Sequence, residues 1–209
     1  MNFYLISPPQ NNINFNLKNL KKISNIINVK YLQLRPKFDE KKLEEQFFIE
    51  KYEEFFEFCK FKKIKLIFND NVNMAKELNV DGVHLGQNDC GCLEARNFLG
   101  KNFEIGISCN DSIFFAKKAQ ESGADYLAFG PAFKSDTKTA KKKNINLYDL
   151  KNKTRSLNIP FFIIGGINHK NIKKLVDLKI KNVALINSMW NFEEGPVKSA
   201  EVFERVLNL

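Results

Sequence analysis

Short apolar segments recur along the chain at a steady spacing, and longer amphipathic stretches separate them. Each apolar segment has the length of a buried strand rather than that of a helix. The pattern therefore predicts eight strands. They cover 3–7 (FYLIS), 30–35 (KYLQLR), 64–69 (IKLIFN), 81–86 (DGVHLG), 103–108 (FEIGIS), 125–130 (DYLAFG), 160–165 (PFFIIG) and 182–187 (NVALIN).

The stretches between these segments are mostly helical in pattern. In the longest of them, large apolar side chains recur near the spacing of a helix. Asn110 and Asn168 are predicted to cap two of the later helices, and Gly123 stands where a glycine ends a helix. The predicted helices cover 17–27, 41–60, 71–78, 89–99, 111–122, 168–178 and 196–206.

Strands that alternate with helices imply a parallel sheet, because parallel strands need crossover connections. Eight such units predict a closed (β/α)₈ TIM barrel, and residues 1–209 are expected to form one domain. The alternative is an open doubly wound sheet, which normally has a glycine-rich loop after its first strand. Here Ser7-Pro8-Pro9-Gln10 follows that strand, so the barrel is favoured.

Composition and charge exclude several classes of protein. The chain is 44% hydrophobic, which supports a sizeable core, and no apolar run reaches the ~18–20 residues of a membrane span. No secretory signal is evident, so we expect a cytoplasmic protein with no membrane partner. The net charge of +9 is spread over lysine pairs, and solvated helix faces explain it better than an anionic substrate or, third, nucleic acid. Cys90 and Cys92 resemble half of a zinc site, but no second pair of cysteines or histidines stands at zinc-binding spacing. Reduced thiols are therefore expected.

Polar residues at the ends of the strands are the candidates for chemistry, because barrel active sites lie at the carboxyl ends of the strands. Gln33, Arg35 and Lys37 alternate at the end of the second strand, so they project on one face. Two cations beside a core strand favour an anion, and arginine has a planar fork suited to phosphate. The alternative is a strand end that emerges into solvent.

Acidic residues follow the next two strands. Asn69 and Asp70 end the third strand, and Asp89 comes just after the fourth. Mg²⁺ is commonly held by one or two carboxylates together with substrate phosphates. Each aspartate on its own is better explained as a helix N-cap, and it is the pair beside Arg35 and Lys37 that favours a metal site.

The remaining strand ends carry weaker signals. Ser108 ends the fifth strand and could donate a hydrogen bond to a phosphate. Ser135, Thr137 and Lys138 lie in the loop after the sixth strand, which either closes over a phosphate or is an ordinary polar loop. His84 is expected to be a buried, hydrogen-bonded residue, with ligand contact as the alternative.

Glycines and an asparagine end the last two strands. Gly166 follows the seventh strand, while Ile186 and Asn187 end the eighth. In barrels, backbone N–H groups at these two positions recurrently bind phosphate, and glycine allows a close approach. His169 is expected on the surface near a helix start and is assigned no role.

Seven segments together match a known family. They are QLRPK (33–37), FND (68–70), DGVHLGQND (81–89), GIS (106–108), GADYLAFGP (123–131), SDTK (135–138) and IIGGI (163–167). In these segments and in their order, the chain resembles the thiamine-phosphate synthases. The resemblance implies a Mg²⁺-dependent transferase that joins a hydroxymethylpyrimidine diphosphate to a thiazole phosphate, releasing diphosphate and forming thiamine phosphate.

The resemblance also implies roles for the matching positions. It assigns the pyrimidine to Gln33 and Asn69, and Mg²⁺ to Asp70 and Asp89. It assigns the leaving diphosphate to Arg35, Lys37, Ser108 and Lys138, the covering loop to Ser135 and Thr137, and the thiazole phosphate to Gly166, Ile186 and Asn187. This chain departs from the family's usual pattern at Asn110, Ser135 and Asn187.

Two other functions remain as alternatives. A thiazole tautomerase has the same fold, but that branch tends to lose the aspartates and the Thr-Lys pair that this chain retains. A non-catalytic basic barrel that binds nucleic acid would concentrate its cations on one outer face. The sequence instead concentrates unusual polar residues at strand ends, so small phosphorylated substrates are favoured as partners. It leaves open whether the chain forms a homo-oligomer.

Overall fold

The computed structural model describes residues 1–134 and 143–208. Its eight parallel strands pair in chain order, and the first pairs with the last, so the sheet closes into a barrel. The strands are β1 (Asn2–Ile6), β2 (Val29–Leu34), β3 (Lys65–Asn69), β4 (Gly82–Leu85), β5 (Glu104–Asn110), β6 (Tyr126–Phe129), β7 (Phe161–Ile163) and β8 (Asn182–Leu185). The predicted (β/α)₈ barrel is confirmed.

Helices follow the strands and surround the barrel. They are α1 (Leu17–Ile26), α2 (Lys41–Lys62), α3 (Val72–Glu77), α4 (Cys92–Leu99), α5 (Ile113–Glu121), α6 (Leu147–Lys153), α7 (Ile172–Asp177), α8 (Asn187–Trp190) and α9 (Pro196–Leu207), with a 3₁₀ turn at Thr154–Ser156. None of these helices, in the part of the chain that the structure describes, combines the length and apolar character needed to cross a membrane.

Several predicted helix starts are wrong. Ser112, not Asn110, caps α5 by accepting a hydrogen bond from Phe115 N, because Asn110 still belongs to β5. Asn171, not Asn168, is the N-cap residue of α7. Helix α4 begins at Cys92 rather than at Asp89. The prediction also missed α6, where Asn146 accepts hydrogen bonds from two backbone N–H groups.

The apolar core has two parts. The larger fills the space between the outer face of the sheet and the helices, and the smaller lies inside the barrel. Tyr4, Tyr126, Phe162 and Ala184 form this inner cluster, and the two tyrosines are almost fully buried. Gly106 makes room for it, because a Cβ at that position would lie 2.0 Å from Tyr126 Cζ.

Candidate active site

Asp70 and Asp89 come together at the carboxyl ends of β3 and β4. The two carboxyl groups interact, since burial and then the neighbouring Asp89 carboxyl raise the pKa of Asp70. Neither residue caps a helix: the Asn71 side chain caps α3, and α4 begins after Gly91. The capping alternative for both aspartates is therefore wrong.

The acidic pair is held in place by its own surroundings. Asp89 Oδ2 accepts a hydrogen bond of 2.7 Å from Gly86 N, and Asp70 N donates to His84 O at 3.0 Å. Asp70 has a φ of 61°, in the left-handed region that non-glycine residues rarely adopt. Two adjacent carboxylates with hard oxygen donors suit a divalent cation such as Mg²⁺, which would relieve their repulsion.

Lys37 extends from the loop after β2 to the acidic pair. Its Nζ lies 3.1 Å from Asp70 Oδ2, and this ion pair partly counters the raised pKa of Asp70. The Lys37 side chain is 46% exposed, so its ammonium can also meet a ligand that arrives from solvent. The structure thus places the cationic side chain that follows β2 beside the carboxylate that follows β3.

A row of amides connects the barrel interior to Asp70. Gln33 Nε2 donates to Asn69 Oδ1 at 3.4 Å, and Asn69 Nδ2 donates to Asp70 Oδ2 at 2.5 Å. Gln33 and Asn69 are both buried. The row therefore places polar groups beneath the acidic pair, where a heterocycle with ring nitrogens and an amino group could exchange hydrogen bonds with them.

Arg35 lies between buried Gln33 and exposed Lys37. Burial lowers the pKa of its guanidinium, and the Asp70 and Glu44 carboxylates act in the opposite direction. Within residues 1–134 and 143–208, no carboxylate forms an ion pair with Arg35. A partly buried cation without an ion pair favours an anionic ligand.

Ser108 lies near the end of β5 and is fixed from two sides. His84 Nε2 lies 2.9 Å from its Oγ, and Gln87 Nε2 donates to its carbonyl at 2.6 Å. His84 is 8% exposed, and its Nδ1 lies 3.3 Å from Tyr126 Oη. The prediction of a buried, hydrogen-bonded histidine is confirmed.

The turn after β7 depends on glycine. Gly165 and Gly166 have φ values of 90° and 66°, and a Cβ on Gly166 would lie 2.3 Å from Lys134 O. These glycines let the turn pack closely on the loop that follows β6. Asn171 Nδ2 also donates to Gly166 O at 2.8 Å, which fixes the turn from the start of α7.

The eighth strand is followed by residues that reach solvent. Ile186 is partly exposed, and Asn187 is exposed at the start of α8. The following Ser188 offers no donor to a ligand, because its Oγ is buried. That oxygen has no hydrogen-bond partner among the described residues. The departure at Asn187 is therefore not compensated by the next hydroxyl.

The structure describes only part of the predicted site, and it shows His169 in a different setting from the one expected. Ser135, Thr137 and Lys138 lie outside the described residues. His169 is half-buried rather than on the open surface: its ring centroid is 4.0 Å from that of Phe203, and its Nε2 lies 3.1 Å from Ser199 Oγ. The four cysteines are free, and no group of three or more metal-ligating side chains occurs among the residues described.

Sequence reasoning missed two supports of the rim. Ser7 is fully buried and its Oγ accepts a 2.7 Å hydrogen bond from Arg35 N, which fixes the backbone at the cation. Its position at the end of the first apolar segment was the available signal. Tyr126, the other missed residue, contacts His84 from within the barrel.

Paired carboxylates, two cations and glycine turns at one rim define a class, the barrels that bind phosphorylated small molecules. Comparison with known proteins identifies the family within this class. A family model described as thiamine monophosphate synthase matches residues 3–189. The chain belongs to the thiamine monophosphate synthase family.

Individual relatives agree with this family. The thiamine-phosphate synthase of Pelagibacter ubique is 44% identical over 133 residues, which cover 64% of this chain and 63% of that protein. The one from Clostridium acetobutylicum is 36% identical over 144 residues, covering 69% and 67%. The match to the Prochlorococcus marinus synthase covers 65% of this chain and only 38% of that protein's length.

A solved structure supports the fold. A thiamine phosphate pyrophosphorylase from Pyrococcus furiosus superposes with a TM-score of 0.80 at 23% identity, covering 99% of this chain and 95% of that one. At this identity the likeness bears on the barrel alone.

Proposed function

We propose that the protein is a thiamine-phosphate synthase. It would join 4-amino-2-methyl-5-hydroxymethylpyrimidine diphosphate to 4-methyl-5-(2-hydroxyethyl)thiazole phosphate, giving thiamine monophosphate and diphosphate. The observation that carries the proposal is the Asp70–Asp89 carboxyl pair beside Lys37 and Arg35, in a chain of this family. These groups suit a metal-bound diphosphate.

Mg²⁺ is the proposed cofactor, held by Asp70 and Asp89. When bound, it would neutralise part of the negative charge on the diphosphate and make that group easier to release. The choice of Mg²⁺ rests on the donor set, because two carboxylates leave the remaining positions to water and substrate phosphate. Burial and then the Asp89 carboxyl raise the pKa of Asp70, and a bound cation would counter both effects by favouring the charged carboxylates.

Arg35, Lys37 and Ser108 are proposed to bind the leaving diphosphate. Arg35 would supply its planar fork from a partly buried position, and Lys37 a mobile point charge from an exposed one. Preorganised charges of this kind act most strongly on the charge that develops as the C–O bond breaks. Lys138, Ser135 and Thr137 are proposed to complete this site from the loop after β6.

The pyrimidine is proposed to lie on the amide row of Gln33 and Asn69. Departure of diphosphate leaves a pyrimidine-methyl cation, which the electron-rich aminopyrimidine stabilises. The buried amides would orient the ring by its nitrogen atoms, so that its methylene carbon faces the second substrate.

The thiazole phosphate is proposed to lie at the turns after β7 and β8, near Gly166, Ile186 and Asn187. The thiazole nitrogen is then the nucleophile, so the protein needs neither a nucleophile of its own nor a strong general base. Its task is to hold two substrates in line and to stabilise a leaving anion. We propose that this takes place in the cytoplasm, on small substrates and without nucleic acid.

A direct assay tests the proposal. The purified protein is incubated with both substrates and Mg²⁺, and thiamine phosphate is quantified. Formation of the product is expected. A protein that instead interconverts thiazole tautomers, and makes no thiamine phosphate, would be a thiazole tautomerase and would contradict the synthase proposal.

A further inference from the structure

A continuous row of polar groups passes through the barrel interior to the rim. Tyr4 Oη lies 2.9 Å from Tyr126 Oη, Tyr126 Oη lies 3.3 Å from His84 Nδ1, and His84 Nε2 lies 2.9 Å from Ser108 Oγ. These four residues, here called the Tyr4–Ser108 chain, come from β1, β6, β4 and β5. The row ends at a hydroxyl that the proposed function gives to the diphosphate.

The inner end of the Tyr4–Ser108 chain is buried away from solvent. Tyr4 and Tyr126 are 2% and 0% exposed, and Phe162 packs edge-on against both rings. Burial raises the pKa of both phenols well above its ordinary value, so each hydroxyl keeps its hydrogen. Apart from Tyr126, the described part of the chain offers no hydrogen-bond partner to Tyr4 Oη.

The number of hydrogens then decides which atom donates in each hydrogen bond of the Tyr4–Ser108 chain. Two contacts join Tyr4, Tyr126 and His84 Nδ1, and the two phenols bring two hydrogens. If Nδ1 is bare, each contact holds one hydrogen and every donor is satisfied. If Nδ1 carries a hydrogen, three hydrogens share these two contacts, and among the described residues one buried donor is left without an acceptor in them, which costs free energy.

We propose that His84 is a positioning residue that holds the Ser108 hydroxyl as a donor toward the rim. With Nδ1 accepting from Tyr126, the hydrogen of the neutral ring lies on Nε2 and is donated to Ser108 Oγ. The hydrogen of Ser108 is then free for an anionic oxygen of the ligand. In the reverse arrangement, Ser108 would donate to His84 and present only lone pairs to an anion. The direction of this hydrogen bond therefore decides whether Ser108 can bind the anionic ligand.

The backbone is built around this chain. Gly106 pairs with His84 on β4 and with Tyr126 on β6. A Cβ at Gly106 would lie 2.3 Å from Tyr126 Oη, so only glycine lets the phenol lie there. Gln87 holds the Ser108 carbonyl at 2.6 Å, which leaves the serine hydroxyl as the adjustable group.

Imidazole NMR tests the tautomer without relying on activity. The chain has two histidines, so a His169→Asn variant assigns both rings in ¹⁵N-labelled protein. The expected result is a neutral His84 ring with its hydrogen on Nε2, and loss of that fixed tautomer in Tyr126→Phe. A hydrogen on Nδ1, or a doubly protonated ring, at neutral pH would overturn the proposal.

A double-mutant cycle tests the consequence for catalysis, and this step rests on the proposed function. Tyr126→Phe is expected to lower kcat roughly fivefold to twentyfold in an otherwise wild-type protein, and less than about twofold in the Ser108→Ala background. A merely structural role would lower kcat equally in both backgrounds, and that outcome would refute the positioning role. Tyr4→Phe is the milder second variant, with a smaller loss that also vanishes without Ser108.

Tyr31→Phe is the matched control. It removes the same atom from a ring that packs on Tyr4 and Tyr126, but Tyr31 Oη donates to Glu104 Oε2 at 2.6 Å and takes no part in the hydrogen bonds of the Tyr4–Ser108 chain. Its kcat is expected to stay within about twofold of wild type. Wild-type protein without synthase activity would contradict the proposed function alone, because the NMR result still decides the tautomer.

Discussion

Replacing Asp70 by asparagine separates metal binding from folding. The substitution keeps the size of the side chain and removes one charge from the Asp70–Asp89 pair. In the folded protein, burial and Asp89 raise the pKa of Asp70. A carboxyl whose pKa is raised by folding stabilises the fold below its unfolded pKa and loses that stabilisation as the pH rises through the folded value. At neutral pH, the metal-free protein therefore gains little from this charge.

The expected change in the free energy of unfolding is the sum of two opposing contributions. Asp70→Asn gives up the ion pair with Lys37, whose side chain is 46% exposed, and such pairs contribute about 0–1 kcal/mol. It also removes the repulsion from Asp89. Without metal we expect the free energy of unfolding to change by less than about 1 kcal/mol. With Mg²⁺ at a hundredfold its Kd, wild type should gain about 2.7 kcal/mol, or roughly 5–11 °C in Tm.

Thermal unfolding with and without Mg²⁺ measures both effects. Asp70→Asn should retain nearly its wild-type Tm in chelator and lose the upward shift that Mg²⁺ gives. Lowering the pH from 7 toward 4 should raise the stability of wild type relative to the variant, because protonation relieves the carboxyl pair.

Asp81→Asn is the matched control. Asp81 pairs with Lys65 at 3.1 Å, the same distance as Lys37 to Asp70, and its side chain is 31% exposed against 29% for Asp70. It lies at the other end of the barrel, before β4. The control should keep the full shift with Mg²⁺. An Asp70→Asn protein that Mg²⁺ still stabilises as much as wild type would refute the metal assignment.

Three further substitutions test the diphosphate site, the barrel interior and the turn after β7. Arg35→Lys keeps the charge but loses the planar fork, so kcat/KM for the pyrimidine diphosphate should fall roughly tenfold to a hundredfold in steady-state assays, and an unchanged value would remove Arg35 from the diphosphate site. Gly106→Ala places a methyl 2.0 Å from Tyr126 Cζ and should cost about 1–3 kcal/mol in chemical denaturation, whereas Gly91→Ala, with nothing within 4 Å, should cost less than about 1. Gly166→Ala strains a turn at a φ of 66° and meets Lys134 O, so KM for the thiazole phosphate should rise while KM for the pyrimidine diphosphate stays the same.

The barrel could be predicted from sequence because its signal is periodic. Eight apolar segments alternate with amphipathic ones, and each strand pairs with its neighbour in the chain. Helix starts were less predictable, since several residues near each start could be the cap. Asn110 was expected to cap α5, yet it pairs with Phe129 in the sheet with a φ of 53° and leaves that role to Ser112.

The candidate site was predictable as a set of strand ends but not as a set of contacts. Asp70 and Asp89 were expected at one rim because neighbouring parallel strands end together, and the structure brings them together. The ion pair between Lys37 and Asp70 joins residues 33 apart, and the contact of Tyr4 with Tyr126 joins residues 122 apart. Such contacts depend on barrel closure and side-chain direction, which no local pattern encodes.

The synthase reaction itself is the most direct test of the proposed function. Wild type and an Asp70→Ala/Asp89→Ala double variant are compared with both substrates, in Mg²⁺ and in chelator, and thiamine phosphate and diphosphate are quantified together. We expect wild type to form the two products in equal amounts only with Mg²⁺, and the folded double variant to form neither. Near-normal product formation by the folded double variant, or none by wild type, would contradict it.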